Sequence, residues 1–492
     1  MKNPHLLLQS AIRAGAMTVV KLFGLIGRVI LVRLVGAEGI GLYQMGYSLY
    51  GFLVTLFGGL PTALAIITAK KPNQGWQLLK LLSVGIIFSS GMISLAVFWE
   101  APIIAGLLGN PGLIHALKSL APAILAAPLL GLLRGYLQGM ERFGIIAASE
   151  VIEQACRIFI MVLIIYYCLP FGIEIAVGKG LYATFLSVLI SFVILTVYVS
   201  IYGAANSSRI RLSKEGVSLP MVWFFRTSLM ISLTRLLVPA SEFIDAILIP
   251  NRLMIAGHSP SEATSMYGVI TGMAVTLVYT PSLITEALSH TMTMRIAAES
   301  QQRGGRAQTL LQLAMKLSWL WGLISGSYIF VYANELSFFL FNTGEAGQLI
   351  RYLAVIPVIV GLREMTTSIL WVQDNKKIPF FGLGIGICCS IVIQYFVIAI
   401  PGYGYIGAAA GILAMELIAT LWNMKEINRN VSIFKMIPLA LLDTAVIICI
   451  VFAIQFADIS ASLTSFLATS ALFFIVAGGY MLLRCKPFNV TK

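Results

Sequence analysis

Residues 36–65 read GAEGIGLYQMGYSLYGFLVTLFGGLPTALA, an apolar stretch that contains Gly58, Gly59 and Pro61 close to its end. The stretch is too apolar for the surface of a soluble protein, yet glycine and proline interrupt it where a membrane-spanning helix is normally most regular. A similar stretch, EATSMYGVITGMAVTLVYTPSLITEAL, occupies residues 262–288 and contains Pro281. The recurrence indicates that two parts of the chain share one element, an apolar helix broken at a proline.

The composition of the whole chain indicates a polytopic helical membrane protein. Of its 492 residues, 59% are hydrophobic and only 11% are charged, whereas a soluble domain has about 25% charged residues. Apolar runs of about 20 residues recur along the sequence, as transmembrane helices require. The runs are continuous rather than alternating in polarity, which disfavours a transmembrane barrel, and no polar segment is long enough to fold as a separate soluble domain.

Fourteen apolar windows predict an all-α integral membrane protein with about fourteen transmembrane helices. Their approximate spans are 11–34, 42–68, 78–99, 113–138, 145–168, 176–202, 219–247, 265–290, 310–333, 348–372, 379–400, 404–424, 436–457 and 463–483. We expect helices 1–6 to form one lobe (residues 1–215), helices 7–12 a second lobe (216–424), and helices 13 and 14 a C-terminal pair (425–492). The first window lacks a small-residue cleavage site, so we expect it to be retained rather than removed as a signal peptide.

Lysine and arginine concentrate in alternate connections between these helices and at both ends of the chain. The basic connections include residues 70–71, 209–214, 376–377 and 425–435. Because loops rich in Lys and Arg stay on the cytoplasmic side, we predict that both termini are cytoplasmic. The net charge of +13 then reflects topology and attraction to anionic membrane lipids, and it does not require a nucleic-acid partner.

The two broken stretches align as copies of one sequence. Glu38 and Glu262 are each followed five residues later by a tyrosine, Tyr43 and Tyr267. Six helices separate the copies, so both should cross the membrane in the same direction, as in transporters built from parallel repeats. Two further pairs of segments recur in the same order: 122–139 with 357–375, and 178–183 with 404–409.

The prolines of the two copies are candidate hinges. A proline inside a helix removes one backbone hydrogen bond and introduces a kink. Paired kinks at Pro61 and Pro281 would let two equivalent lobes bend during alternating access, so we predict a hinge at each. The alternative is that proline is simply common in membrane helices.

Several segments carry a resemblance to a known family, among them GRVILVRLVGAEGIGLYQ (27–44), LLRGYLQGMERF (132–143), EVIEQACR (150–157) and residues 266–288. The chain resembles the stage V sporulation protein B branch of the multidrug/oligosaccharidyl-lipid/polysaccharide (MOP) exporter superfamily, a branch similar to bacterial lipid II flippases and Wzx-type flippases. The resemblance implies a fold like that of the multidrug MATE transporters. It also implies a flippase that moves undecaprenyl-diphosphate-linked saccharides, such as lipid II or a related polysaccharide intermediate, across the cytoplasmic membrane for cell-wall or spore-cortex synthesis.

Basic residues inside the predicted spans are candidates for binding this substrate, because ionisable residues in the bilayer are costly. Lys21 and Arg28 lie on one side of helix 1, and related flippases have a cationic central cavity. We therefore predict that Lys21 and Arg28 bind the substrate diphosphate; pairing with a carboxylate within the lobe is the alternative.

Two further arginines are predicted to line the same cavity. They are Arg235 in helix 7 and Arg363 in helix 10. For Arg235 the alternative is a pair with Glu242 on its own helix. Glu364 follows Arg363 directly, and consecutive helical residues point about 100° apart, so one of the two side chains can face the cavity while the other faces a neighbouring helix.

The acidic residues inside the predicted spans fall into two groups: one with a predicted ion-pair partner on its own helix, and one whose members stand singly in the sequence. Glu153 and Arg157 have i,i+4 spacing, which predicts a structural ion pair, with substrate contact as the alternative. Glu286, Glu416 and Asp443 are candidates for binding a coupling ion, H⁺ or Na⁺, and the sequence does not select among them. The cysteines lack the spacing of metal sites or disulfide frameworks and are interpreted as packing residues; they are Cys156, Cys168, Cys388, Cys389, Cys449 and Cys485.

The sequence leaves two other classes of function open. No GxxxxGK[ST] phosphate loop occurs, and no pattern of catalytic or metal-binding residues indicates an enzyme or a cofactor. A cation-coupled multidrug antiporter of the same superfamily remains the main alternative, but it would favour a carboxylate-lined site over the basic helix 1. A non-transporting scaffold for wall synthesis is the second alternative, and it would not require paired kinks or charges inside the bilayer.

Overall fold

The computed structural model describes residues 4–206, 221–300, 306–427, 437–457 and 463–484, and within these ranges it contains helices and no strand. A 3₁₀ turn at Leu169–Phe171 and a π-helix at Gly268–Val275 accompany the α-helices. The α-helices are α1 (Pro4–Leu56), α2 (Gly59–Lys70), α3 (Pro72–Trp99), α4 (Ala101–Leu107), α5 (Leu113–Gly139), α6 (Phe143–Cys168), α7 (Ile173–Gly180), α8 (Tyr182–Asn206), α9 (Met221–Ile255), α10 (Pro260–Tyr267), α11 (Thr276–Tyr279), α12 (Ser282–Ser300), α13 (Arg306–Val331), α14 (Ala333–Phe341), α15 (Gly347–Tyr352), α16 (Ile356–Val372), α17 (Lys377–Val397), α18 (Gly404–Ile427), α19 (Ile437–Ala457) and α20 (Leu463–Arg484). The predicted all-α class is confirmed.

Each of the fourteen predicted spans coincides with helix in the described residues. By length and hydropathy alone, nine helices there are long and apolar enough to cross a membrane, or up to eleven if each of two bent pairs counts as one span. The count is lower than fourteen because the segment Gly15–Lys70, which covers two predicted spans, counts as one, while α16 and the apolar part of α19 are short. Large apolar side chains such as Phe88, Trp99 and Phe159 are exposed, as expected for helices that face lipid.

Helix α1 contains the first predicted span and the beginning of the second, with no loop between them. The sequence predicted an end near residue 34 and a new start near residue 42, whereas the structure joins the spans through a kink at Gly36, with φ 68° and ψ −167°. Only glycine adopts this combination without a steric penalty. The chain therefore changes direction within one residue, which a hydropathy window cannot detect.

Both predicted proline breaks are present. Helix α1 ends at Leu56, and α2 begins at Gly59, so Pro61 lies in the first turn of α2, where a missing N–H removes no helical hydrogen bond. In the second copy, Thr280 and Pro281 separate α11 from α12, and the helices on the two sides of this break meet at 47°. Movement at either break stays a prediction.

The chain forms two compact units. Unit 1 comprises Met1–Met254 with His258–Gly268, and unit 2 comprises Ile255–Gly257 with Val269–Lys492. Helix α9 packs with unit 1, whereas the predicted lobe boundary at residues 215 and 216 would place it at the start of the second lobe. The contacts of α9 with the α1–α2 break, described below, account for its place in unit 1. The division into 1–215, 216–424 and 425–492 stays a prediction.

Each unit has its own apolar core. In unit 1, a buried cluster that includes Leu64, Leu78, Leu133, Leu195 and Phe224 joins α2, α3, α5, α8 and α9. Unit 2 has one cluster that joins α12, α13, α16 and α18, and another that joins α13 to the C-terminal helices α19 and α20. The basic connections at 209–214 and 429–435, and Cys485, lie outside the described residues.

Candidate functional site

The break between α1 and α2 is held by side chains of α9. Helix ends leave backbone N–H and C=O groups without helical partners. Ser232 Oγ accepts a hydrogen bond from the Gly59 N–H at 2.9 Å and donates one to the Leu56 carbonyl at 2.9 Å. Arg235 Nη1 donates to the Gly58 carbonyl at 2.8 Å. Three side-chain hydrogen bonds therefore replace those that the break removes.

Glycine allows the backbones at this break to approach closely. A Cβ on Gly59 would lie 1.9 Å from the Ser228 carbonyl oxygen of α9, and a Cβ on Gly135 of α5 would lie 2.4 Å from the Pro61 carbonyl oxygen. Real Cβ atoms do not tolerate such distances. The break is consequently packed between α9 and α5, and a side chain at either glycine would push the helices apart.

The predicted diphosphate-binding residues of α1 lie on unit 1. Lys21 is exposed and Arg28 is half-buried. The positive charge of Arg28 interacts electrostatically with the Glu242 carboxyl of α9 and with the Tyr43 hydroxyl of α1. The predicted alternative for Arg235, a pair with Glu242, is not the hydrogen bond observed, because Arg235 donates to Gly58.

A buried polar cluster joins four helices of unit 1. Glu153, on α6, is 8% exposed and forms ion pairs with Arg157 on the same helix and with Arg134 on α5, the latter at 2.8 Å. Arg157 Nη1 also donates to the Tyr47 hydroxyl of α1 at 2.7 Å, and Arg157 Nε donates to Ser187 of α8 at 3.4 Å. The cluster contains two guanidinium groups for one carboxylate.

The Glu153–Arg157 pair is the one that the i,i+4 spacing predicted. Arg134 was not predicted as a third member. It lies on α5, where its guanidinium donates to the Ser149 hydroxyl at 3.1 Å as well as to Glu153. Only the packing of α5 against α6 reveals this partner.

In unit 2, the predicted cavity residue Arg363 is paired with a predicted ion-coupling residue. Arg363 Nε donates to Glu416 Oε2 at 2.5 Å, and the Glu416 side chain is only 3% exposed. The Tyr279 hydroxyl donates to the other oxygen of Glu416 at 2.9 Å. The structure therefore brings together two residues, on α16 and α18, for which the sequence predicted separate roles.

The break between α11 and α12 lies beside this pair. Tyr279 is the last residue of α11, and Trp321 Nε1 of α13 donates to the Pro281 carbonyl at 2.9 Å. One turn into α12, Thr285 Oγ1 lies 2.9 Å from the Ser282 carbonyl oxygen and 3.0 Å from Glu364 Oε2 of α16. The break is thus connected to α13, α16 and α18 through polar side chains.

The remaining predicted acidic residues have different surroundings. Asp443 of α19 is 2% exposed and accepts hydrogen bonds from the Tyr480 hydroxyl at 2.6 Å and from Arg484 Nε at 2.8 Å. Glu286 of α12 is half-buried and has an interaction partner of its own. Among the described residues, no group of three or more His, Cys, Asp or Glu side chains is arranged to hold a metal ion.

Comparison with known proteins identifies the family. Residues 7–292 match the family model described as polysaccharide biosynthesis protein. Stage V sporulation protein B of Bacillus subtilis (strain 168) is 27% identical over 89% of this chain and 86% of its own length. Lipid II flippase MurJ of the same organism is 24% identical over 73% of this chain and 71% of its own length.

Solved structures agree with this fold. A structure of lipid II flippase MurJ, described as inward closed, superposes with a TM-score of 0.74 at 14% identity and covers 97% of this chain and 99% of the other. An inward-facing multidrug MATE transporter of the MOP superfamily has a TM-score of 0.63 at 17% identity over 83% of this chain and 95% of the other. Because the family model matches more than half of the chain, this multi-pass bacterial membrane protein belongs to the polysaccharide biosynthesis protein family.

Proposed function

We propose that this protein is a flippase that carries an undecaprenyl-diphosphate-linked saccharide across the cytoplasmic membrane by alternating access. The observation that carries the proposal is the charge of α1. From Pro4 to Gly36 this helix contains four basic residues and no acidic one: Arg13, Lys21, Arg28 and Arg33. A membrane helix with this excess of positive charge favours an anionic ligand.

A diphosphate suits this helix for physical reasons. Charged side chains inside a bilayer are costly unless they meet opposite charge, and phosphate oxygens form strong, charge-assisted hydrogen bonds with Lys and Arg. Lys21 is exposed on unit 1 and Arg28 is half-buried. Arg235 contributes to the same binding step in our proposal, because its guanidinium is exposed although one of its nitrogens is bonded to Gly58.

The relatives support the class of cargo. One is named as a lipid II flippase and another as a stage V sporulation protein. We infer that the saccharide is lipid II or a related polysaccharide intermediate, used for the cell wall or the spore cortex. In this proposal both termini are cytoplasmic, and an H⁺ or Na⁺ gradient or the membrane potential supplies the energy.

The proposal is tested by flipping of a fluorescent lipid-linked diphosphate oligosaccharide in proteoliposomes. We expect Lys21→Ala with Arg28→Ala to reduce the flipping rate at least about tenfold, since losing one charge-assisted hydrogen bond costs about 1.5 kcal/mol or more. Arg28→Lys, which keeps the charge, should retain part of the rate. Lys80→Ala, which removes a positive charge from an exposed position on α3, is the matched control.

The outcomes separate the proposed flippase from its alternatives. Wild-type flipping by the double variant would overturn the assignment of the binding residues. Transport of a cationic dye, with no flipping of the diphosphate lipid, would instead support a multidrug antiporter. A wild-type protein that transports neither compound but restores wall synthesis in a depleted strain would support a scaffold.

A further inference from the structure

We propose that Glu364 is a proton-binding site in unit 2 and that its protonation sets the hydrogen bonds next to the helix break at Pro281. Glu364 lies on α16, beside the Arg363–Glu416 pair, and its side chain contacts Thr285 of α12. The sequence predictions for a coupling ion named three other carboxylates, and Glu364 was not among them.

The argument begins with the single proton of the Thr285 hydroxyl. Thr285 Oγ1 lies within hydrogen-bonding distance of two oxygens, the Ser282 carbonyl at 2.9 Å and Glu364 Oε2 at 3.0 Å. A hydroxyl donates one hydrogen bond, and a carbonyl can only accept. Both bonds reach full strength together only if Thr285 donates to Ser282 and a protonated Glu364 donates to Thr285.

The pairing of the neighbouring charges also favours the neutral form of Glu364. The one adjacent cation, Arg363, donates to Glu416, which is nearly fully buried and additionally accepts from Tyr279. Among the described residues, Glu364 has no salt bridge, and its one hydrogen-bond partner is Thr285. An unpaired carboxylate inside the membrane is costly, whereas the carboxylic acid is not.

The helices that pack against α16 determine the remaining electrostatic environment of Glu364. The charges that act on the Glu364 carboxyl are those of Arg363 on its own helix, Glu416 on α18 and Glu286 on α12. The one cation among them, Arg363, is already engaged by Glu416. On α13 and α11 the relevant polar groups are engaged elsewhere: Lys316 Nζ donates to the Arg484 carbonyl, Trp321 donates to Pro281, and Tyr279 donates to Glu416.

Loss of the proton would rearrange the break. The carboxylate can only accept, so the Thr285 hydroxyl must turn its proton from the Ser282 carbonyl to Glu364. Ser282 is the first residue of α12 and follows Pro281 directly. Glu364 is half-buried, so its carboxyl group is not sealed inside the helix packing. A proton on α16 therefore changes a hydrogen bond within one turn of the break.

Infrared difference spectroscopy of the full-length protein in liposomes tests this site without any saccharide lipid, so its result does not depend on the proposed function. A pH step should reveal the C=O stretch of a protonated carboxyl group. We expect Glu364→Gln to remove this band and to reduce proton uptake by about one proton per chain. Glu335→Gln, the same change at an exposed position of α14, should retain the band.

Variants of Thr285 test the hydrogen bond itself. Thr285→Ser keeps the hydroxyl and should leave the carboxyl band unchanged, whereas Thr285→Val removes the hydroxyl at similar size and should shift the frequency of the band. Hydrogen exchange of residues 279–289 should depend on pH in the wild type, beyond the intrinsic pH effect, and lose that dependence in Glu364→Gln. An identical carboxyl band in wild type and Glu364→Gln would overturn the proposal, even if one variant folded poorly.

Discussion

Arg157 contacts three helices through one guanidinium group. It bonds Tyr47 of α1, Ser187 of α8 and Glu153 of its own helix α6. The partner on its own helix, Glu153, could be predicted because helix geometry places residues i and i+4 on one face. The other two lie 110 and 30 residues away, and no local pattern specifies such contacts.

Replacing Glu153 should destabilise unit 1 more than the same change at Glu150 of α6. Glu153→Gln leaves the guanidinium groups of Arg134 and Arg157 buried without their counter-charge, and removing one member of a buried ion pair costs about 3–5 kcal/mol. We expect a lower unfolding temperature in detergent, measured by intrinsic fluorescence. The control is Glu150→Gln, because Glu150 is half-buried on the same helix and has no ion pair or hydrogen bond among the described residues. Equal unfolding temperatures for the two variants would contradict a stabilising role for the cluster.

The helices themselves were the most predictable level of this fold. Each of the fourteen apolar windows coincides with helix in the described residues, because the length of an apolar run is fixed by the thickness of the bilayer. The same windows could not detect the continuous passage of α1 through Gly36, or the short helices α4, α7, α14 and α15. These features depend on backbone angles and on local packing rather than on hydropathy.

The structure also shows what the broken helices require. A break inside the membrane exposes backbone groups that water does not reach, so another part of the protein must bond to them. Ser232 and Arg235 supply these bonds in unit 1, and Trp321 supplies one in unit 2. Arg235 was predicted as a substrate ligand because it is a basic residue in a predicted span, and that role stays a prediction. Nothing in the sequence indicated that a backbone carbonyl would also be its partner.

Ser232→Ala should loosen the α1–α2 break. The variant leaves the buried Gly59 N–H without a partner, at a cost of about 1–3 kcal/mol. Hydrogen exchange in residues 56–64 should therefore become about 5- to 100-fold faster. Ser228→Ala, one turn earlier on α9, is the matched control, since the Ser228 hydroxyl is buried and has no hydrogen-bond partner in the part of the chain that the structure describes. Equal exchange in both variants would show that the Ser232 bonds do not hold the break.

At the scale of the whole molecule, the composition predicted the all-α membrane class, and short sequence motifs indicated the family. The sequence predicted less directly which helices pack together in one unit. The repeat predicted that α9 would begin a second lobe, but α9 packs with unit 1, where it bonds to the α1–α2 break. The internal repeat and the lobe division that it suggests stay predictions, because a sequence repeat does not specify which bundle a helix packs against.

The direction of the helices across the membrane remains to be measured, and α3 and α17 are suited to the test because both ends of each are exposed. We introduce single cysteines by Lys71→Cys and Glu100→Cys at the ends of α3, and by Lys376→Cys and Tyr403→Cys at the ends of α17, in a cysteine-free background. Because Lys-rich ends stay in the cytoplasm, we expect a membrane-impermeant thiol reagent to label Glu100→Cys and Tyr403→Cys in intact cells. The other two sites should be labelled only after permeabilisation.

Each outcome of this labelling has a distinct consequence. The expected pattern requires α3 and α17 to leave the cytoplasm in the same direction, because the third and eleventh of the predicted spans are both odd-numbered. A reversed pattern at all four sites would place both termini outside and contradict the assignment based on basic loops. Opposite patterns for the two helices would contradict the count of fourteen spans. In that count α3 and α17 are both odd-numbered and must run in the same direction.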